Sequence, residues 1–285
     1  MLLEGVYTPV VTPFDHEGEI DLETLTRVIE HQLQSGVRGI VSCGTTGEYY
    51  ACTFDERVAL MTHTRDVAQG AHLLAGCNAG STREVIRLGL AARDLGYDGL
   101  LLSAPHTSLP TQAELGAHYA SVAAGVEIGF DALDAIADVP EIVAIKESSG
   151  DFSRFLTLRR RYQGRIEVMC GSDDQAVDYF SWGVRSWLAG TANVLPLQHV
   201  VVLEAALRGD HALAHRLFEG MLPWVQDMES GSYNQKAKLG LAHVGIACGD
   251  VRQPLLPLDA AAAAENLRVL GQALAVELPE RLPAG

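Results

Sequence analysis

The chain has 285 residues, 48% of them hydrophobic, with 36 acidic against 21 basic side chains and a formal charge of −15. That length and apolar fraction supply one large core, either a single long domain or a domain with an appendage. The acidic balance, with no Lys/Arg-rich tract to offset it, excludes broad contact with nucleic acid or an anionic membrane. No apolar run reaches the roughly 18 residues of a membrane helix, and MLLEGVYTPV lacks a basic n-region and cleavage site. The five cysteines (Cys43, Cys52, Cys77, Cys170, Cys248) are widely spaced with no CxxC pair, so neither a disulfide framework nor a zinc site is expected. These features together predict a cytoplasmic protein.

Short runs rich in Val, Ile and Leu alternate with helical patterns along the chain. The first four are VYTPVV at 6–11, RGIVSC at 38–43, HLLAGC at 72–77 and DGLLLSA at 98–104. Runs apolar on both faces suit parallel strands covered by helices on either side. Thr53–Glu56, Ser81–Glu84 and Thr111–Glu114 each read as a capping box at a helix start, spaced by 28 and 30 residues, the period of a βα unit. EIVAIKES at 141–148, RIEVMCGS at 165–172 and VRSWLAG at 184–190 continue the strand series, with helical patterns near 151–162, 173–182 and 196–208. Residues 210–228, 230–248 and 259–277 then read as three helices. The pattern predicts an α/β fold, a (β/α)₈ TIM barrel over 1–209 with a C-terminal helical extension over 210–285 packed on it. No GxGxxG follows the first strand, which argues against a dinucleotide fold.

One interval departs from the period. Only 40 residues separate Thr111 from the next helix start at Asp151. Two helical patterns fill them, about 112–124 and 129–138, and only Gly125–Ile128 lies between. The fifth strand is thus expected to be absent, about 15–20 residues with its loops missing between Ala124 and Gly125.

Chemistry in a parallel barrel gathers at the C-terminal ends of strands. Lys146 ends the run Ile142–Ile145 and is one of three lysines in the chain. A lysine there sheds hydration and can supply the neutral amine that attacks a carbonyl; it can also hold a phosphate, or simply snorkel to a carboxylate. Gly44-Thr45-Thr46-Gly47-Glu48 follows the second strand, where glycines admit a ligand and successive hydroxyls and N–H groups can hold a carboxylate or relay a proton. Glu48 can equally just close the turn. Gly171-Ser172-Asp173-Asp174 follows the sixth run, with Asp173 either an acceptor for substrate hydroxyls or a helix N-cap. Gly190-Thr191-Ala192-Asn193 follows the last. His106 reads as a loop histidine, and Trp182 and Trp187 as packing around the last strand.

These residues, in this order, resemble the dihydrodipicolinate synthase / N-acetylneuraminate lyase family. The likeness runs from Gly5-Val6-Tyr7-Thr8-Pro9 and Thr12-Pro13-Phe14 through the GTTGE turn, Lys146-Glu147-Ser148-Ser149 and the GSDD turn to Gly190-Thr191-Ala192-Asn193. The resemblance implies a (β/α)₈ barrel, a homotetramer or homodimer, and no metal or organic cofactor. It implies catalytic roles for Lys146, which forms a Schiff base with pyruvate or another 2-oxo acid, and for Thr45 in a proton relay. It places Thr46, Gly44, Gly171, Asp173, Gly190 and Thr107 around the substrate. The family's Tyr-Asn-x-Pro stretch on the fifth strand is not found, and Thr107 stands where the synthases carry a tyrosine. A synthase of the 4-hydroxy-tetrahydrodipicolinate type, a 2-keto-3-deoxy sugar-acid aldolase or dehydratase, and a hydroxyproline-pathway deaminase all fit. So does an impaired barrel that only binds a 2-oxo acid. A phosphate-binding barrel aldolase would want a glycine-rich phosphate turn, for which Gly171 and Gly190 give slight support.

Overall fold

Strand β1 (Gly5–Pro9) has strand neighbours from opposite ends of the chain, and that pairing bends the sheet into a barrel. It pairs in parallel with β2 (Gly39–Ser42) on one side and with β7 (Ser186–Leu188) on the other. Strands β3 (His72–Gly76) and β4 (Gly99–Leu101) continue beyond β2, and β6 (Glu167–Cys170) and β5 (Ala144–Glu147) beyond β7. The order β4-β3-β2-β1-β7-β6-β5 puts the first strand beside the last, as closure requires. The computed structural model describes residues 3–103, 111–122, 133–134, 137 and 139–279. Among these, seven strands form one parallel sheet whose ends are β4 and β5. The expected break between Ala124 and Gly125 lies outside the described residues.

Alternation along each strand sorts the side chains into two cores. Tyr7, Val41, Leu74, Met169 and Leu188 point inward and, with Leu3, fill the barrel. Val6, Ile40, Leu73, Ile145 and Trp187 point outward into the larger core beneath the helices. Trp187 is fully buried, as its strand position predicts. Trp182 is not: it ends the short helix Ala176–Ser181, stays 46% exposed, and its ring faces the Arg159 guanidinium.

After α1 (Leu22–Gln34), the helix starts follow the capping pattern, with one difference. Thr53 and Glu56 exchange both bonds, as do Thr111 and Glu114, ahead of α2 (Phe54–Val67) and α4 (Gln112–Val122). Ser81 accepts the Glu84 N–H ahead of α3 (Thr82–Asp94), but the Glu84 carboxylate turns to Arg87 instead. After α5 (Phe152–Tyr162), α6 (Ala176–Ser181) and α7 (Pro196–Leu207), the strands stop. Three helices follow, α8 (His211–Glu229), α9 (Tyr233–His243) and α10 (Ala260–Leu274). The helix read over 230–248 is shorter than its pattern, because Ser-Gly-Ser precedes it and Gly245, at φ +96°, follows its end. Among the described residues no helix is long and apolar enough to cross a membrane.

Arg252, between α9 and α10, pins this C-terminal segment to the barrel. Its guanidinium donates to the carbonyls of Gly18 and Ala51, each at 2.9 Å, and to Glu56 Oε1 at 2.6 Å. That bond is the main reason the Glu56 carboxyl sits below its usual pKa. A carboxyl depressed in the fold adds stability at pH values above its unfolded pKa and loses it as pH falls through the folded one. Arg252→Ala is therefore expected to cost about 3 kcal/mol near neutrality. The mutant's stability should also fall less between about pH 5 and pH 3 than the wild type's. Urea unfolding across that range checks both; parallel acid limbs would refute the link.

Candidate active site

The GTTGE turn is held by backbone conformations that ordinary residues avoid. Cys43 and Glu48, which bracket Gly44–Gly47, both adopt positive φ, +57° and +53°. Non-glycine residues in this region are strained, and such strain persists only where surrounding contacts enforce it. Here the contacts are plain. Thr12 Oγ1 donates to the Gly47 carbonyl at 2.6 Å. Glu48, fully buried, pairs with Lys238 at 2.8 Å and accepts the Arg252 N–H at 2.9 Å. Burial lowers the Lys238 pKa, against the opposing pull of Glu48. Glu48 thus does close the turn, and it also ties the turn to α9. Thr46 is buried and Thr45 exposed.

On β5 the alternation sends Lys146 inward and Glu147 outward. Glu147 is buried, accepts Arg154 Nε at 2.9 Å and the Ser149 N–H at 2.7 Å, and so fixes the loop that follows Lys146. Lys146 itself is half-buried and lies across Gly171, where an added methyl would overlap its Cε. Glycine at 171 is what lets the lysine cross the barrel mouth. Among the described residues the Lys146 amine has no hydrogen bond or ion pair.

A cavity of about 480 Å³ opens here, lined by Lys146, Thr45, Thr46 and Gly171 together with Asp174 and Glu229. Gly190 and Asp173 line it too, while Gly44 is not among the lining residues. Thr107 and His106 lie outside the described residues. Asp173 differs from both expectations for it. It is buried, and its carboxylate accepts Trp187 Nε1 at 2.8 Å, Thr191 Oγ1 at 2.8 Å, the Thr191 N–H at 3.2 Å and the Tyr233 hydroxyl at 3.1 Å. It is not a helix cap, and its oxygens are engaged by these four donors where it lines the cavity; it braces the turns that form the wall.

The far wall comes from residues to which the sequence pattern assigns no role. Glu229 ends α8 and Tyr233 begins α9. Tyr233 crosses Gly190, where a methyl would overlap its hydroxyl, to reach Asp173. Burial, then the Asp173 charge, keeps this phenol protonated by raising its pKa. Asn234 donates to the Thr45 carbonyl at 3.2 Å and to the Tyr50 hydroxyl at 2.9 Å. The one hint in the sequence is polar Ser230-Gly231-Ser232, a break between two helical patterns. Nothing in that pattern says the break hangs over the barrel.

A parallel barrel whose C-terminal mouth opens on a lysine, two threonines and carboxylates has the layout of a (β/α)-barrel enzyme. The chain belongs to the dihydrodipicolinate synthetase family, whose model matches residues 2–273. It is 31% identical to a 4-hydroxy-tetrahydrodipicolinate synthase of an Exiguobacterium species, over 95% of this chain and 98% of that one. A second such synthase, from Saccharophagus degradans, is 32% identical over 91% and 94% of the two chains. Among solved structures, the 4-hydroxy-tetrahydrodipicolinate synthase of Methylacidiphilum fumariolicum SolV superposes with a TM-score of 0.91 at 27% identity, covering 96% of each chain. A chloride-inhibited dihydrodipicolinate synthase of Acinetobacter baumannii, complexed with pyruvate, gives 0.90 at 29% identity, covering 95% of this chain and 99% of that one. The family is one of enzymes, lyases and synthases.

Proposed function

We propose that the protein is a Schiff-base lyase or synthase in which Lys146 condenses with pyruvate or another 2-oxo acid. The observation that carries this reading is a lysine in a polar cavity with its amine uncommitted among the described residues, beside a turn able to take a carboxylate. The Gly44–Gly47 backbone and the Thr45 and Thr46 hydroxyls hold the substrate carboxylate, which brings the C2 ketone to the amine. Attack and loss of water give a protonated imine. That cation draws electrons from C3, so a bond at C3 can break or form through an enamine. Thr45 relays protons at the imine. The chemistry needs neither metal nor organic cofactor.

The reading predicts that the methyl protons of pyruvate exchange with deuterium in D₂O when the enzyme is present, because the enamine takes up a deuteron at C3. Proton NMR follows this directly, and exchange no faster than in buffer would refute the reading. A cytoplasmic homotetramer or homodimer, with residues 210–285 as an extension packed on a barrel of 1–209, completes the proposal; sedimentation of the purified protein tests the assembly.

A further inference from the structure

We propose that Glu229 is the catalytic base that takes the proton from the C4 hydroxyl when the Lys146-bound 2-oxo acid carries one. This rests on the Schiff-base reading and adds to it a residue.

The placement argues for it first. Asn234 donates to the Thr45 carbonyl, whereas Glu229 lines the cavity together with Asp173 and Asp174, so the α8–α9 corner spans the mouth from the β2 turn to the β6 turn. A substrate with its carboxylate on Thr45 and Thr46 and its C2 on Lys146 extends its remaining carbons toward Glu229 and Asp174, which line the same cavity.

The corner is also built rigidly. Ser232 holds φ +52° with no capping bond, and Gly231 φ +121°. Lys236, buried, donates to the Asp227 carbonyl, to Asp227 Oδ1 at 3.1 Å and to Ser230 Oγ at 3.0 Å. Asn266 donates to Asp227 Oδ2 at 2.7 Å. Strain enforced this strongly, beside a cavity, points to a position that matters for function.

The electrostatics agree. Glu229 is the last residue of α8, where the helix dipole disfavours a carboxylate. The residue as a whole is exposed, yet its carboxyl is partly enclosed; burial and the charges of Asp173 and Asp174 raise its pKa to about 7, against the pull of Lys146. Tyr233, the remaining titratable neighbour, stays a neutral phenol. A base titrating near neutrality is suited to proton transfer.

The step is then as follows. The Glu229 carboxylate removes the O4 proton, and the O4 electron pair forms the C4 carbonyl. The C3–C4 bond breaks, its electrons form the C2–C3 double bond, and the imine π pair moves onto the Lys146 nitrogen to give the enamine. An aldehyde leaves. Protonation at C3 and hydrolysis of the imine release the shorter 2-oxo acid, and in reverse Glu229 protonates the new alkoxide.

Glu229→Gln tests this with 4-hydroxy-2-oxobutanoate and 4-hydroxy-2-oxopentanoate as probes. The wild type should cleave at least one of them, with a rate that rises with pH through about 7. The variant should fold normally, keep its borohydride-trapped pyruvate adduct, lose about 10²–10⁴-fold in kcat, and lose that pH limb. Asp174→Asn should keep the limb. Absence of the wild-type adduct would overturn the Schiff-base reading itself. An adduct accompanied by no cleavage of either acid, or by Glu229→Gln turnover and pH profile like the wild type's, would overturn the role of Glu229 alone.

Discussion

Borohydride added to the protein with pyruvate is expected to fix a reduced three-carbon adduct on Lys146, and Lys146→Met to abolish both adduct and turnover. The argument is one of alternation and space. Lys146 lies on the inner face of β5, opposite Met169 of β6 in register, and Met169 belongs to the barrel interior. Gly171 leaves room for the side chain to reach the cavity. Among the described residues no carboxylate pairs with its amine, so there is no ion pair to break before it attacks a ketone. Loss of a covalent nucleophile is felt on the scale of roughly 10⁶-fold in kcat. Lys236 and Lys238 provide internal controls, since both are buried and bonded to acceptors. Peptide mapping of the trapped protein decides the matter. An adduct on either of those lysines, or turnover retained in Lys146→Met, would refute the assignment.

Asp173→Ala is expected to destabilise the protein more than most single substitutions, by about 3–5 kcal/mol. Four donors converge on its two oxygens: Trp187 Nε1 on Oδ1, and Thr191 N, Thr191 Oγ1 and Tyr233 OH on Oδ2. Alanine leaves Trp187 Nε1, the Thr191 N–H and the Tyr233 hydroxyl without this acceptor, while the Thr191 hydroxyl keeps His199 Nε2 at 2.7 Å. Asn is the sharper probe. Its amide oxygen can occupy the Oδ2 position and keep three donors, leaving only Trp187 facing an NH₂ group. Asp173→Asn should therefore cost about 1–2 kcal/mol. Equal losses in the two variants, measured by urea unfolding, would show that the convergence on Oδ2 carries no particular weight. Because the Tyr233 bond anchors the α8–α9 corner, kcat/KM should fall in both, and further in the alanine.

Much of this was readable from local pattern. Strand runs such as HLLAGC and EIVAIKES, caps at Thr53 and Thr111, and the glycine-framed turns depend on residues within a few positions of each other. Their physics, backbone propensity and side-chain alternation, is written in the order of the residues. The position of Lys146 at the end of a buried strand is legible for the same reason.

What only the folded chain decides involves residues far apart. The pairing of β1 with β7 joins Gly5 to Ser186, and the hydrogen bond from Tyr233 to Asp173 spans 60 positions. Asp173 could have faced a substrate or a helix end, and its neighbours in sequence do not choose between them; Trp187, Thr191 and Tyr233 do, by packing their donors around it. Glu229 reads as the unremarkable end of a surface helix until that helix is folded back over the barrel, where enclosure and nearby carboxylates set its titration. Burial and electrostatic environment are properties of the three-dimensional assembly, and no window of sequence contains them.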